Sequence, residues 1–191
     1  MSGYQLEQIV NKAVSDSDIR LSDIPAIDLY IDQIITLINE KYEPGKRFPD
    51  DKILTKTMIN NYSKEGLIKP VKGKKYSREH IVQMLMIYAM KNTLTIPEIK
   101  SVFEGIYKGE DFDNGNLLES YEEFIDEKLK LREMCESMFS ALAEKSGIKF
   151  EDKKDILITL LSAAVLSTYM KNIAQGIIDQ YFPVSSKKKE K

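Results

Sequence analysis

The sequence predicts a mainly α-helical chain carrying one small β-ribbon. Three observations lead there. Glycine and proline are sparse, nine and six in 191 residues, which disfavours a many-turned β fold. Leu, Ile, Met and Tyr supply the apolar content and recur along most of the chain at helical spacing. One stretch breaks that rhythm: Lys72-Gly-Lys-Lys75 sits between short apolar pieces, as a tight turn in a ribbon would. With 42% hydrophobic and 30% charged residues, the chain has the composition of a soluble protein able to bury a core, in one generous domain or two small ones.

The elements follow in order. Residues 1–20 are polar and only weakly periodic, a partly helical or frayed start. From Ile24 to Tyr42, apolar residues at 27, 30 or 31, 34, 35 and 38 predict an amphipathic helix with Pro25 in its first turn. Glu43 to Asp51, with two prolines and a glycine, ends it as a loop. Thr55 is placed to cap a short helix, and Gly66 to stop it. Residues 67–76 read as the ribbon. Ser77 caps a helix from Arg78 to about Asn92, with Ile81, Met84 or Leu85, and Tyr88 inward. Thr95-Ile-Pro-Glu98 fits a capping box and opens another helix with Ile99, Val102, Phe103 and Ile106 inward. After the acidic stretch 108–116, two long helices are expected, Leu117 to about Lys145 and Asp152 to Tyr181, broken at Ser146-Gly147. The first has apolar residues near a three-four repeat, with Lys128 interrupting the seam.

Charge is unevenly placed. The net charge is −2, yet between Lys52 and Arg78 there are eight basic residues against Glu65, a local +7 that leaves −9 for the rest. Such a footprint attracts a polyanion locally. On a helix over 56–64, Thr57, Asn60, Asn61 and Lys64 share one polar stripe, while Met58, Ile59 and Tyr62 turn away from it. Two adjacent asparagines are poor helix formers, so propensity does not account for them. An Asn side chain can pair bidentately with the edge of adenine in a major groove. Thr57, Asn60 and Asn61 are therefore the candidate base contacts. Lys56, Lys64, Lys69, Lys72, Lys74, Lys75 and Arg78 are the candidate phosphate contacts. The plain alternative is a solvated basic face.

The run Thr57-Met-Ile-Asn-Asn-Tyr-Ser-Lys-Glu-Gly-Leu-Ile-Lys-Pro70 resembles the recognition-helix segment of MerR-type regulators, with Tyr62, Lys64, Gly66, Leu67 and Pro70 in the family's places. Lys74-Lys-Tyr-Ser-Arg-Glu-His-Ile81 resembles its wing exit, and Leu94-Thr-Ile-Pro-Glu-Ile-Lys-Ser-Val-Phe103 its closing helix. Asn60-Asn61-Tyr62 stands where that family usually has Arg-Tyr-Tyr, so its arginine contact has no counterpart. The whole chain also resembles a group of uncharacterised bacterial proteins sharing Asn-Asn-Tyr and Lys-Lys-Tyr. The resemblance implies a MerR-like winged helix-turn-helix with a β-ribbon wing, double-stranded DNA as partner, and a helical C-terminal part that dimerises or holds an effector. The expected division is 1–110 for the N-terminal helix and winged module, 111–183 for the helical part, and 184–191 for a disordered basic tail.

No cofactor, metal site or catalytic residue is expected. The lone thiol, Cys135, falls on an apolar stripe and reads as a packing residue, and His80 lacks a partner base or nucleophile in sequence. One cysteine and a start, Met1 to Val14, without the basic-then-apolar pattern of a secretory signal point to the cytoplasm. Ile156 to Met170 is a 15-residue uncharged run, short of the ~20 residues a spanning helix needs, and is expected as a core or interface helix. The expectation is a cytoplasmic, homodimeric DNA-binding regulator. The rival is a helical adaptor whose basic segment meets an acidic protein.

Overall fold

The computed structural model describes residues 4–71, 73–108, 111–146 and 152–184. Among them are seven α-helices and a single two-stranded ribbon: α1 (Tyr4–Val14), β1 (Leu29–Tyr30), α2 (Ile31–Tyr42), α3 (Lys56–Lys64), β2 (Lys75–Tyr76), α4 (Arg78–Met90), α5 (Ile96–Ile106), α6 (Asn114–Ser146) and α7 (Lys153–Tyr181). The chain is mainly helical.

The core runs without interruption from Ile19 to Ile125. Its centre is α4, where Ile81, Val82, Met84, Leu85 and Ile87 are all buried, so this helix is covered nearly all round rather than on the one face its periodicity predicts. Around it pack Ile34 and Ile38 of α2, Ile59 and Tyr62 of α3, Ile99 and Phe103 of α5, and Leu117, Tyr121 and Ile125 of α6. The first turns of α6 therefore belong to the same core as the elements before residue 110. Tyr121 sits 1% exposed and donates its hydroxyl to the Ile19 carbonyl at 2.7 Å.

Three expectations are corrected. The predicted helix 24–42 begins only at Ile31. Ile24, Ile27 and Ile31 have helical spacing, but the chain is extended at Leu29–Tyr30 because those residues pair antiparallel with Tyr76 and Lys75. For the same reason, residues 67–76 do not form a ribbon of their own. One strand is β2, and its partner comes from 46 residues upstream. The third concerns α7, expected as a core or interface helix, of which the core alternative fails. Only Thr159 and Ile178 are buried, and it is long and apolar enough to cross a membrane by length and composition.

Ion pairs fix the exit of α6. Asp16 and Asp18 receive Lys128 and Arg132, with Lys128 Nζ 2.9 Å and Arg132 Nη1 2.8 Å from Asp18. Next to them, Arg20 bridges Glu122 and Asp126 at 2.8 and 2.7 Å. The interruption that Lys128 makes in the apolar seam is thus the place where the segment before α2 is fastened to α6. The predicted break at Gly147 and the basic tail after Val184 lie outside the described residues.

Candidate nucleic-acid interface

The helix with the asparagine stripe is held at both ends by its own sequence. Thr55 Oγ1 accepts from the Met58 backbone N–H at 3.2 Å, capping α3. At the other end, Gly66 adopts φ +73°, its N–H meets the Ser63 carbonyl, and the Leu67 N–H reaches the Tyr62 carbonyl at 2.9 Å. That is a Schellman stop, with buried Leu67 packing in the same core as Tyr62. The approach to α3 is equally fixed. The Asn39 amide both donates to the Leu54 carbonyl, at 3.3 Å, and accepts from its N–H, at 3.2 Å. Lys91 donates to the Ile53 carbonyl at 3.1 Å, and Ile53 and Leu54 are buried.

With Ile59 and Tyr62 locked inward, rotation about the helix axis is settled. Thr57, Asn60, Asn61 and Lys64 all face solvent. None of the four carries an ion pair among the described residues. The polar stripe is rigidly presented, which is what a reading helix requires, because ordering it on binding then costs little conformational entropy.

The ribbon is linked to α3 through the start of α2. Gly73 and Lys74 both have φ +62°, a left-handed pair that turns the chain just before β2. Lys74 and Lys75 are exposed. Lys75 Nζ stands 5.4 Å from the centre of the half-exposed Tyr30 ring, and Tyr30 is also the residue that caps α2. Lys56, at the start of α3, is 3.6 Å from Asp32 in the first turn of α2, both side chains well exposed. The start of α2, the start of α3 and the ribbon therefore share one face.

Not every predicted cation joins it. Lys69 donates to Asn114 at 2.8 Å and lies 3.7 Å above the Tyr107 ring, which turns it toward the start of α6. Arg78 Nη2 donates to the Ile24 carbonyl at 2.8 Å, and its Nε is buried. Neither side chain joins the face of α3 and the ribbon: Lys69 is exposed on another side, toward α6, and Arg78 is bonded to the Ile24 carbonyl. Lys72 lies outside the described residues. What remains is Lys64, Lys74 and Lys75, with Lys56 in a weak exposed pair. Sequence reasoning overlooked Tyr30, whose position on this face follows only from the pairing of β1 with β2.

His80 lies in the first turn of α4, its Nδ1 also 2.8 Å from the Ser77 hydroxyl. Its Nδ1 accepts from the Ser77 N–H at 3.1 Å, closing the first turn of α4, and its ring meets Tyr76 edge-on. The neighbouring Glu79 carboxyl lies below its usual value because the Ser77 hydroxyl donates to it. Cys135 is half-exposed on α6, less covered than its place on the apolar stripe predicts.

A family model described as a domain of unknown function, DUF1836, matches residues 19–124. The chain belongs to that family. The match coincides with the core, which begins at Ile19 and ends at Ile125. The DUF1836 domain thus includes the whole α3 and ribbon face, whereas α1, α7 and the outer part of α6 lie beyond it. No curated protein and no solved structure matches the chain.

Proposed function

We propose that this protein is a sequence-specific double-stranded DNA-binding regulator that reads the major groove with α3. The observation that carries the reading is the exposed Thr57, Asn60, Asn61 and Lys64 stripe on a helix capped at both ends, with exposed Lys74 and Lys75 on the ribbon that the start of α2 links to it. Asn60 and Asn61 act as the base readers, Thr57 as a base or phosphate contact, and Lys64 with the ribbon lysines as phosphate anchors. The order α2, α3, ribbon, α4 supports the finer reading of a MerR-like winged helix-turn-helix. In it α2 is the first helix, joined to α3 by the longer link 43–55, and the wing is the ribbon that β1 completes.

In this reading the protein works in the cytoplasm as a homodimer, on a two-fold operator, without catalysis or cofactor. Capture of sheared bacterial genomic DNA at physiological salt tests it. Recovered fragments sharing a palindromic motif are the expected result. Random fragments, or none, would leave the basic face to an acidic protein partner instead.

A further inference from the structure

Where α3 ends against α4 and α5, the surface opens into a cavity of about 420 Å³, within the range of small-molecule sites. It is lined from α3 by Ser63, from the segment after it by Lys69 and Pro70, from α4 by Gln83, and from α5 by Phe103 and Tyr107. Gln83 stands apart on its helix. It is 1% exposed, and every other buried residue of α4 is apolar. A buried amide costs free energy unless its polar atoms find partners. The Gln83 oxygen accepts the Lys69 backbone N–H at 3.3 Å. Its nitrogen has two hydrogens to give, yet among the described residues it meets only the Tyr107 hydroxyl, at 3.5 Å. That distance is the outer limit of a hydrogen bond. The cavity therefore holds donor capacity that the fold leaves over. Burial pushes the Tyr107 hydroxyl up, so it too stays a donor at neutral pH.

Charge points the same way. Lys69 Nζ lies 3.7 Å above the centre of the Tyr107 ring and donates to the Asn114 side chain at 2.8 Å, both of them neutral groups. Glu104, the one acid on the wall among the described residues, is answered by Lys100 at 3.7 Å. Lys69 is left as a cation without a carboxylate.

We infer that this cavity binds a small monocarboxylate with an apolar body. Its carboxylate accepts from the Gln83 amide and the Tyr107 hydroxyl, with Lys69 supplying the opposite charge. The body, a ring or a branched chain, lies against Pro70 and Phe103. A neutral ligand would leave Lys69 unanswered, and a phosphate would bring more charge than one cation balances. Because Ser63 sits in the last turn of α3, a ligand here braces that turn against α5.

The test is calorimetric titration of the full chain, without DNA, so it stands apart from the DNA reading. Phenylacetate, benzoate and isovalerate are compared, each with its own amide. A ligand of about ten non-hydrogen atoms supports a dissociation constant of about 1 mM or tighter. The best acid is expected to bind at least about tenfold tighter than its amide. Lys69→Met, at an exposed position, removes that preference while circular dichroism shows the fold intact, and hydrogen exchange in residues 63–71 of the native chain slows when the acid is present. No binding of any of the three acids up to about 10 mM, equal affinity for acid and amide, a Lys69→Met chain that keeps the preference, or protection confined to another part of the molecule would each overturn the inference.

Discussion

Lys74 holds a left-handed backbone, φ +62°, at which a non-glycine residue is strained by about 1–2 kcal/mol. Lys74→Gly removes that strain but gives the unfolded chain more freedom, so thermal unfolding should show stability unchanged or raised by up to about 1 kcal/mol. The same substitution deletes an exposed cation from the proposed interface, so DNA affinity should fall while stability does not. Gain in one and loss in the other is the signature of a side chain kept for contact rather than for folding. The residue scale is also where the sequence is most legible. Thr55 and Gly66 bracket α3 as their chemistry requires, and Thr95 and Glu98 form the expected N-terminal cap of α5, with the Thr95 N–H and hydroxyl both 2.7 Å from the carboxylate. The partners of Lys69 and Arg78 were not legible, because nothing local announces that a cation will reach Asn114 or the Ile24 carbonyl.

At the scale of elements, two fastenings decide where α6 and α7 point. Burial alone would raise the Asp18 carboxyl, but hydrogen bonds from Arg132 and Lys128, with their charges, hold it below the usual 3.8. A carboxylate depressed in the folded state stabilises it above its unfolded value and loses that contribution as pH falls through the lower folded value. Acid titration should therefore release α6 from the 15–23 segment below about pH 4, whereas Asp18→Asn should cost about 1–3 kcal/mol at neutral pH and flatten that acid limb. On α5, a Cβ at Gly105 would lie 2.3 Å from the Phe182 ring. Gly105→Ala should push that ring aside at about 1–3 kcal/mol and raise hydrogen exchange in the last turns of α7. Helix existence could be read from periodicity for α3 to α7. The start of α2 could not, since Ile24 and Ile27 keep helical spacing through a segment that long-range pairing pulls straight.

For the whole molecule, the sequence shows an eight-cation segment, whereas the fold places Lys64, Lys74 and Lys75, with Lys56 in part, on the face of α3 and the ribbon. Three to four neutralised phosphates per chain predict a log–log salt slope of about −3 to −4 per bound chain, not the −6 or steeper that all seven candidate contacts would give. Titrating affinity against salt distinguishes the two. Neither the all-round burial of α4, read as one inward face, nor the exposure of α7 was legible. An apolar run reads the same in sequence whether the chain itself covers it or leaves it open.

The central claim is that Asn60 and Asn61 read bases from α3. Its most direct measurement is the affinity of the native chain and of Asn61→Ala for a duplex selected from a random library and for a scrambled control. The account predicts a loss of about 1–3 kcal/mol on the selected duplex alone, with relaxed preference at one position of each half-site. Equal affinity of the native chain for both duplexes, or an Asn61→Ala variant that retains the full preference, would contradict it.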